Sequence, residues 1–463
     1  MKTDFFGGLA PRTDESSIHV SRRKDLIEAI KNEFPQHATG LVVVFAAFEQ
    51  GSERFRQDKT FYYYTGMNEP GAALVIDLTG KSTLYLPNYF EKRAQWMVLP
   101  EALIKRDAKA LRVDAVEFLG DECAGYEINP YFSEHEYAHM IALLKNNKAN
   151  GGSLFSTVPD NGYEYISTRV TLDYLQKFIP QLNESVVDIS SIIAAARRRK
   201  DIGEVERIYR AIEITELAHE SALQTIKNEA LESEVQASLE YIMTASHGRP
   251  SFPSIVGSGK NSTVLHYHEN SGTMRNGDLV VVDIGTELNN YCADLTRTYP
   301  VSGVFSKRQK ELYNIVLQTQ EHVASFAKPG MWVKNKDKQD QSLHHLAVKF
   351  LAKHGYDKYF PHGIGHYLGL DVHDVGDYST PLQEGDVITI EPGIYIAAEN
   401  IGIRIEDNYW ITKDGAVCLS ENLPKEIADI EQYMQQVQSS QSDDSDEDDW
   451  NDEDEDDEDE MFN

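Results

Sequence analysis

The sequence predicts an α/β protein of two domains followed by an acidic tail. Three observations predict it. Between residues 40 and 90, apolar segments alternate with turns as the strands of a small sheet do. In the C-terminal half, a unit of turn, apolar strand and carboxylate occurs twice, each copy preceded at some distance by a helical segment. The final stretch, DDSDEDDWNDEDEDDEDEMFN, carries fifteen acids and no base.

In chain order, GLVVVFAAF, FYYYTGMNEPGAALVIDL and STLYLP supply the first sheet. Residues 91–185 hold mixed amphipathic segments with few sharp signals. RRRKDIGEVERIYRAIEITELAH, from 197, opens a long helix with Val205, Ile208 and Ile212 at helical spacing. The domain boundary falls just before it, giving an N-terminal domain at 1–190 and a second domain at 191–436. Residues 437–463 form a tail whose like charges repel and cannot bury a core, so it is expected to be disordered, serving solubility or, alternatively, a basic partner. At 463 residues the chain is long enough for both domains and their cores.

Composition excludes several classes. The net charge is -31, and the body remains acidic without the tail, which argues against nucleic acid as a ligand. Cys123, Cys292 and Cys418 are far apart and odd in number, which fits a reducing compartment rather than a disulfide framework. The start, MKTDFFGGLAPRTDESS, lacks the basic and apolar run of a secretory signal, so a cytoplasmic location is expected. No run of about 18 apolar residues occurs, so no membrane span is expected.

The repeat carries the chemistry. NGDLVVVD (276–283) and EGDVITIE (384–391) each place a carboxylate five residues after the Asp of a Gly-Asp turn. Facing each other, the two units would form one curved sheet with acids from both halves. In VVVDIGTELNNYCADLTRTYP, a turn centred on Leu288-Asn289 would set Asp283 opposite Asp294. Side chains directly opposite share a face, with Cβ atoms about 5 Å apart. In TIEPGIYIAAENIGIRIED, a turn near Ala398-Glu399 would bring Glu391 to Glu406. Carboxylates that close repel, so they require a raised pKa or a cation. HGIGHYLGLDVHDVG (362–376) adds His362, His366 and His373. One histidine among four carboxylates suits Mn, Co or Zn. Carboxylates that bridge two such ions hold them about 3.5–4 Å apart.

Together with VLHYHEN (264–270), TIEPGIYI (389–396) and GIRIED (402–407), these stretches resemble the metallo-aminopeptidases and prolidases of the pita-bread fold. The match spans most of residues 200–430 in the family's order, and ERFRQDKTFYYYTGMNEPGAALVID (53–77) resembles the creatinase-like first domain of Xaa-Pro aminopeptidases. The resemblance implies two divalent metal ions, most simply Mn, with Co or Zn as alternatives. Its implied ligands are Asp283, Asp294, His366, Glu391 and Glu406, with Asp294 and Glu406 bridging. It implies that His373 assists at the scissile carbonyl, that His266 and His362 line the substrate cleft, and that Arg404 lies close to substrate and ligand carboxylates. Tyr395 would wall the proline pocket. A homodimer or homotetramer built through the N-terminal domain is also implied. The loop between Glu391 and Glu406 is shorter than in many prolidases, and the acidic tail is not a family feature.

The function expected is hydrolysis of the N-terminal Xaa-Pro bond by a hydroxide bridging the two metals. Glu391 would carry the water's proton to the proline nitrogen. A prolidase restricted to dipeptides would use the same cleft. A methionine aminopeptidase would normally lack the large N-terminal domain. A non-catalytic pita-bread histone or peptide binder would typically have lost the metal ligands, all of which are present here.

Overall fold

The computed structural model describes residues 15–50, 54–88, 95, 97–121, 133–159 and 165–444. Cys123 and the tail from 445 lie outside the described residues. The chain divides into two compact units, Met1–Arg207 with Tyr367–Val387, and Ile208–His366 with Ile388–Asn463. The helix Ser190–Arg198 therefore groups with the first unit. The last described helix, Ile427–Asp444, runs past residue 436 into the first acids of the tail.

The first unit is built on a mixed six-stranded sheet. Its strands are β1 (Gly40–Phe45), β2 (Ala73–Asp77), β3 (Ser82–Leu86), β4 (Ala115–Phe118), β5 (Ser153–Ser156) and β6 (Val186–Asp188), in the order β4-β3-β2-β1-β5-β6. The apolar runs GLVVVF and ALVID pair antiparallel, Leu41 facing Asp77, while β1 and β5 run parallel. Val43, Phe45, Val75 and Leu154 pack with Met140 and Leu144 of the helix Ala138–Ala149 and with Leu172 and Leu175 of Ile166–Gln176. The aromatic run FYYYT is not a strand but the buried helix Lys59–Thr65. Short apolar runs are ambiguous between the two forms. Here the caps decide: Asp58 accepts from the Phe61 amide, and Gly66 closes the helix at φ 69°.

The second unit carries β7 (Arg249–Pro250), β8 (Ile255–Ser258), β9 (Leu279–Ile284), β10 (Thr286–Leu288), β11 (Tyr291–Cys292) and β12 (Leu295–Pro300) from the first copy of the repeat. From the second copy come β13 (Val387–Ile390), β14 (Gly393–Ile396), β15 (Ile401–Arg404), β16 (Asp407–Thr412) and β17 (Gly415–Cys418). The long helices Ile202–Thr225 and Lys307–Phe326 stand where the repeat places them, and Val205, Ile208 and Ile212 are fully buried. Instead of one continuous curved sheet, hydrogen bonding divides these strands into β12-β9-β8, β11-β10-β7, β13-β16-β17 and the hairpin β14-β15. The breaks fall at Gly285 and at Glu391-Pro392, where Pro392 has no N–H to donate. An antiparallel bridge between Thr296 and Glu406 joins the two copies at their carboxylates.

The first hairpin differs from its expected register. Its turn residues are Asn289 and Asn290, both left-handed at φ 50° and 69°, as a two-residue type I′ turn requires. Leu288 therefore faces Tyr291, and Asp283 faces Thr296 rather than Asp294. Asp294 sits instead in the gap between β11 and β12. There the chain passes so close to Gly285 that a Cβ on that glycine would lie 1.9 Å from the Ala293 carbonyl oxygen. The second hairpin keeps the expected register, with Gly393 facing Arg404 and a tight turn at Ala397–Glu399.

Within the first unit, Asp374 is tied to Lys200 Nζ at 2.9 Å and to an Arg197 guanidinium nitrogen at 2.7 Å, all three buried. Burial alone would push this carboxyl up, but the two cations hold it below the ordinary carboxylate range. A depressed folded-state pKa contributes stability above the unfolded value of about 3.9 that is lost as pH falls through the folded value. Asp374→Ala should cost about 3–5 kcal/mol at neutral pH, because it takes the buried carboxylate from Lys200 and leaves buried Arg197 with the Asp371 carboxylate. The loss should shrink below about pH 4, and urea denaturation at pH 7 and pH 3 measures both effects.

Candidate metal centre

Strand geometry assembles the acids. Asp283 is the penultimate residue of β9, beside Thr296 of β12, and the Thr296 hydroxyl donates to Glu406 Oε2 at 2.7 Å. The Glu406 amide donates to the Thr296 carbonyl at 3.0 Å. His366 faces the same cluster, its Nε2 lying 3.3 Å from Asp294 Oδ2 and 3.6 Å from Glu391 Oε1. Its backbone is paired with Thr389, whose amide donates to the His366 carbonyl at 2.9 Å. The Thr389 hydroxyl reaches Glu391 Oε1 at 3.3 Å. Ligand atoms of Asp294, His366 and Glu406 all lie within 4.8 Å of one another.

The electrostatics of this cluster are unfavourable without a cation. Burial, then the charges of Asp283 and Glu391, push the Asp294 carboxyl well above its ordinary value. Glu406 is raised likewise by burial and then by Asp294, and Glu391 is raised by burial. Arg404 offers one positive charge: it contacts Asp283, donates to Thr296 Oγ1 at 3.1 Å and donates to the Tyr395 hydroxyl at 2.8 Å. Among the described residues, Asp283 Oδ1 is buried with no hydrogen-bond partner. An orphaned buried carboxylate oxygen beside three more acids and an imidazole is the donor set of a divalent cation site. The residues present fit such an ion.

Beside the acids, hydrogen bonds run in one direction. Arg404 donates to the Tyr395 oxygen, the Tyr395 hydroxyl lies 3.0 Å from His362 Nε2, and His362 Nδ1 lies 2.8 Å from the Gly363 carbonyl oxygen. Burial, then Arg404, lowers the His362 pKa to about 3, so the ring is neutral, donating through Nδ1 and accepting through Nε2. Burial pushes the Tyr395 phenol up to about 12. Among the other expected residues, His266 is exposed and its ring stacks on that of His268 with centroids 6.0 Å apart. His373 is exposed and lies in Tyr367–Val387, the segment grouped with the first unit.

Sequence reasoning missed the supporting residues. Arg297 is fully buried and donates to Asp407 Oδ1 at 2.7 Å, to the Glu406 carbonyl at 2.7 Å, to the Leu423 carbonyl at 2.9 Å and to the Pro424 carbonyl at 3.0 Å. Asn408 brackets Asp294, accepting from its amide at 3.2 Å and donating to its carbonyl at 2.6 Å. Gln320 donates to the carbonyls of Ile390 and Ile405, the residues just before Glu391 and Glu406. The one available signal was charge at core positions of strands, as at Arg297 and Asp407.

Fold and acid cluster together define a metallopeptidase of the pita-bread class. Residues 206–413 match metallopeptidase family M24, and residues 19–121 match the aminopeptidase P N-terminal domain. The Xaa-Pro aminopeptidase of Haemophilus influenzae is 33% identical over 412 residues, covering 82% of this chain and 88% of that protein. The Xaa-Pro aminopeptidase of Escherichia coli is 30% identical, covering 89% and 96% of the two chains. Intermediate cleaving peptidase 55, mitochondrial, of Arabidopsis thaliana is 31% identical, covering 89% and 82%. Among solved structures, E. coli aminopeptidase P with the inhibitor Pro-Leu superposes with a TM-score of 0.74 at 27% identity, covering 91% of this chain and 99% of that one. A zinc-substituted form of the E. coli enzyme in complex with product gives 0.73 at 28% identity, covering 91% and 98%. The chain belongs to the aminopeptidase P family of M24 metallopeptidases. Among the described residues, no helix is long and apolar enough to cross a membrane.

Arg297→Ala would remove the buried guanidinium from Asp407, leaving it Lys425 and Ser420, and would strip hydrogen bonds from the Glu406, Leu423 and Pro424 carbonyls. Urea denaturation should show a loss of about 3–5 kcal/mol relative to wild type.

Proposed function

We propose that this protein is an Xaa-Pro aminopeptidase that removes the first residue from peptides with proline second. The observation that carries this reading is the intact set Asp283, Asp294, His366, Glu391 and Glu406, in a chain that matches both the catalytic and the N-terminal domain of the family. Relatives named Xaa-Pro aminopeptidase cover most of its length. In this reading residues 191–436 form the catalytic domain, residues 1–190 the N-terminal domain and 437–463 the tail.

The five residues would hold two divalent ions, Mn2+ before Co2+ or Zn2+, with Asp294 and Glu406 shared between them. When bound, such ions supply Lewis acidity to the scissile carbonyl and lower the pKa of water at the site. Glu391, with its Oε1 next to His366, accepts the proton of the attacking water and passes it to the proline nitrogen, which must be protonated to leave. His373 donates to the carbonyl oxygen as negative charge develops there. The Xaa-Pro bond has no N–H, so recognition rests on ring shape. Tyr395, held by Arg404 on one side and His362 on the other, presents a fixed wall for that ring. His266 and neutral His362 offer imidazoles to the substrate backbone.

We further propose a homodimer or homotetramer and a reducing compartment such as the cytoplasm. The first is supported by the family resemblance, the second by the free thiols of Cys292 and Cys418. The tail's acids would attract a basic partner.

With Mn2+ supplied, an Xaa-Pro-Xaa tripeptide should be cleaved after its first residue at a rate above that of the Xaa-Pro dipeptide. Cleavage of the dipeptide alone would assign the chain as a prolidase instead. Asp294→Asn and His366→Ala should each reduce kcat/KM by about 1,000-fold or more, since each removes a charge or donor that the transition state depends on. Near-normal turnover by either variant would contradict the ligand assignment.

A further inference from the structure

The loop that carries His266 is held by a polar stripe on one helix. In Glu232–Ala245 the residues Glu232, Gln236 and Glu240 recur every four positions, so they lie on one face. Glu232 is fully buried. Its Oε1 accepts from the Ser258 amide at 2.7 Å, the Ser258 hydroxyl at 2.6 Å and Asn261 Nδ2 at 3.0 Å. Its Oε2 accepts from the Tyr267 hydroxyl at 2.8 Å and the Gly272 amide at 2.6 Å. One turn on, Gln236 Oε1 accepts from Asn270 Nδ2 at 3.0 Å. Asn270 also donates to the Ser254 carbonyl at 2.8 Å and accepts from the Val256 amide at 2.9 Å. Another turn on, Glu240 Oε1 accepts from the Ser254 hydroxyl at 2.8 Å and from Gln236 Nε2 at 3.0 Å. Gly272 passes so close that a Cβ there would lie 2.7 Å from Glu232 Oε2.

A buried carboxylate held by neutral donors is a costly way to pack a helix, and an apolar residue would serve stability better. What the arrangement supplies is one fixed course for residues 254–272. Tyr267 is buried and pinned inward, while its neighbours His266 and His268 are exposed with their rings stacked at 22° between planes. We propose that Glu232 and Tyr267 are positioning residues: their hydrogen bond sets the backbone of Tyr267 and thereby aims His266 at the substrate. This rests on the reading of His266 as a substrate-binding histidine of an Xaa-Pro aminopeptidase. A histidine fixed before substrate arrives binds without first losing loop entropy, so loosening the pin weakens binding.

The test is a double-mutant cycle of Tyr267→Phe with His266→Ala on an Xaa-Pro-Xaa tripeptide, read together with amide hydrogen exchange. Tyr267→Phe removes one hydroxyl and keeps the ring in place. The hydroxyl donates to Glu232 and accepts from Asn261 Nδ2 at 3.0 Å and the Ser271 amide at 3.2 Å, and loss of these bonds should raise KM roughly 3–10-fold. In the His266→Ala background the same change should alter KM by less than about 2-fold, because the residue it positions is gone. Amides of residues 264–272 should exchange faster in Tyr267→Phe, with those of Leu279–Ile284 unchanged. Glu232→Gln, which replaces an acceptor oxygen with a donor, should shift KM and exchange in the same direction. An equal rise in KM with and without His266, or wild-type KM and exchange in Tyr267→Phe, would overturn the proposal. A wild-type protein that cleaves no Xaa-Pro peptide would sink the aminopeptidase reading, and with it the role given to His266. The exchange pattern would then decide separately whether the hydroxyl fixes the loop.

Discussion

The centre of the second unit answers to one constraint: four carboxylates crowd together in a small space, with the Arg404 guanidinium in contact with Asp283. Asp294 and Glu406 are pushed far above the ordinary carboxylate range, by burial and then by their acidic neighbours. Arg404 offsets part of that charge at Asp283 but also holds Tyr395, so its fork is committed. An interior that raises its own carboxyls this way is stable only with protons or cations among them. The donor chemistry, including Asp283 Oδ1 with no hydrogen-bond partner among the described residues, favours cations.

The surrounding framework keeps those acids from moving apart. Each acid has a backbone partner or neighbour fixed from elsewhere in the unit. Thr296 bridges to Glu406, Asn408 brackets Asp294, and Gln320 reaches the residues before Glu391 and Glu406. Arg297 ties the Glu406 carbonyl to Asp407, whose carboxyl Arg297 and Lys425 hold down at about 2 against the cost of burial. The same logic of polar groups used for placement extends to the Glu232 stripe and the His266 loop.

Much of this was legible in the sequence, for physical reasons. Carboxylates stand out where a strand should be apolar, so Asp283, Glu391 and Glu406 mark themselves. The repeat of Gly-Asp, strand and acid made the two halves visible. The register of the first hairpin was misjudged because the turn was centred one residue early. The Asn289-Asn290 pair suits left-handed φ at both positions and was the usable signal. The aromatic helix Lys59–Thr65 was hidden by its shortness, too brief to show a period. The hydroxyls of Thr296 and Thr389 were unreadable in principle, since threonine is at home in any strand. His219 shows the opposite hazard. It is buried and neutral, shared between the Leu295 carbonyl and the Tyr299 hydroxyl, and has no place in the acid cluster.

The central claim is that the acids are stable together because they hold divalent ions. Equilibrium dialysis of chelator-treated protein against Mn2+, with elemental analysis and a thermal melt of each sample, addresses it directly. Two ions bound per chain are expected, together with a Tm that falls on chelation and recovers on reloading, because a ligand that binds only the folded state stabilises it. A protein that binds no divalent ion, and melts at the same temperature with and without chelator, would contradict it.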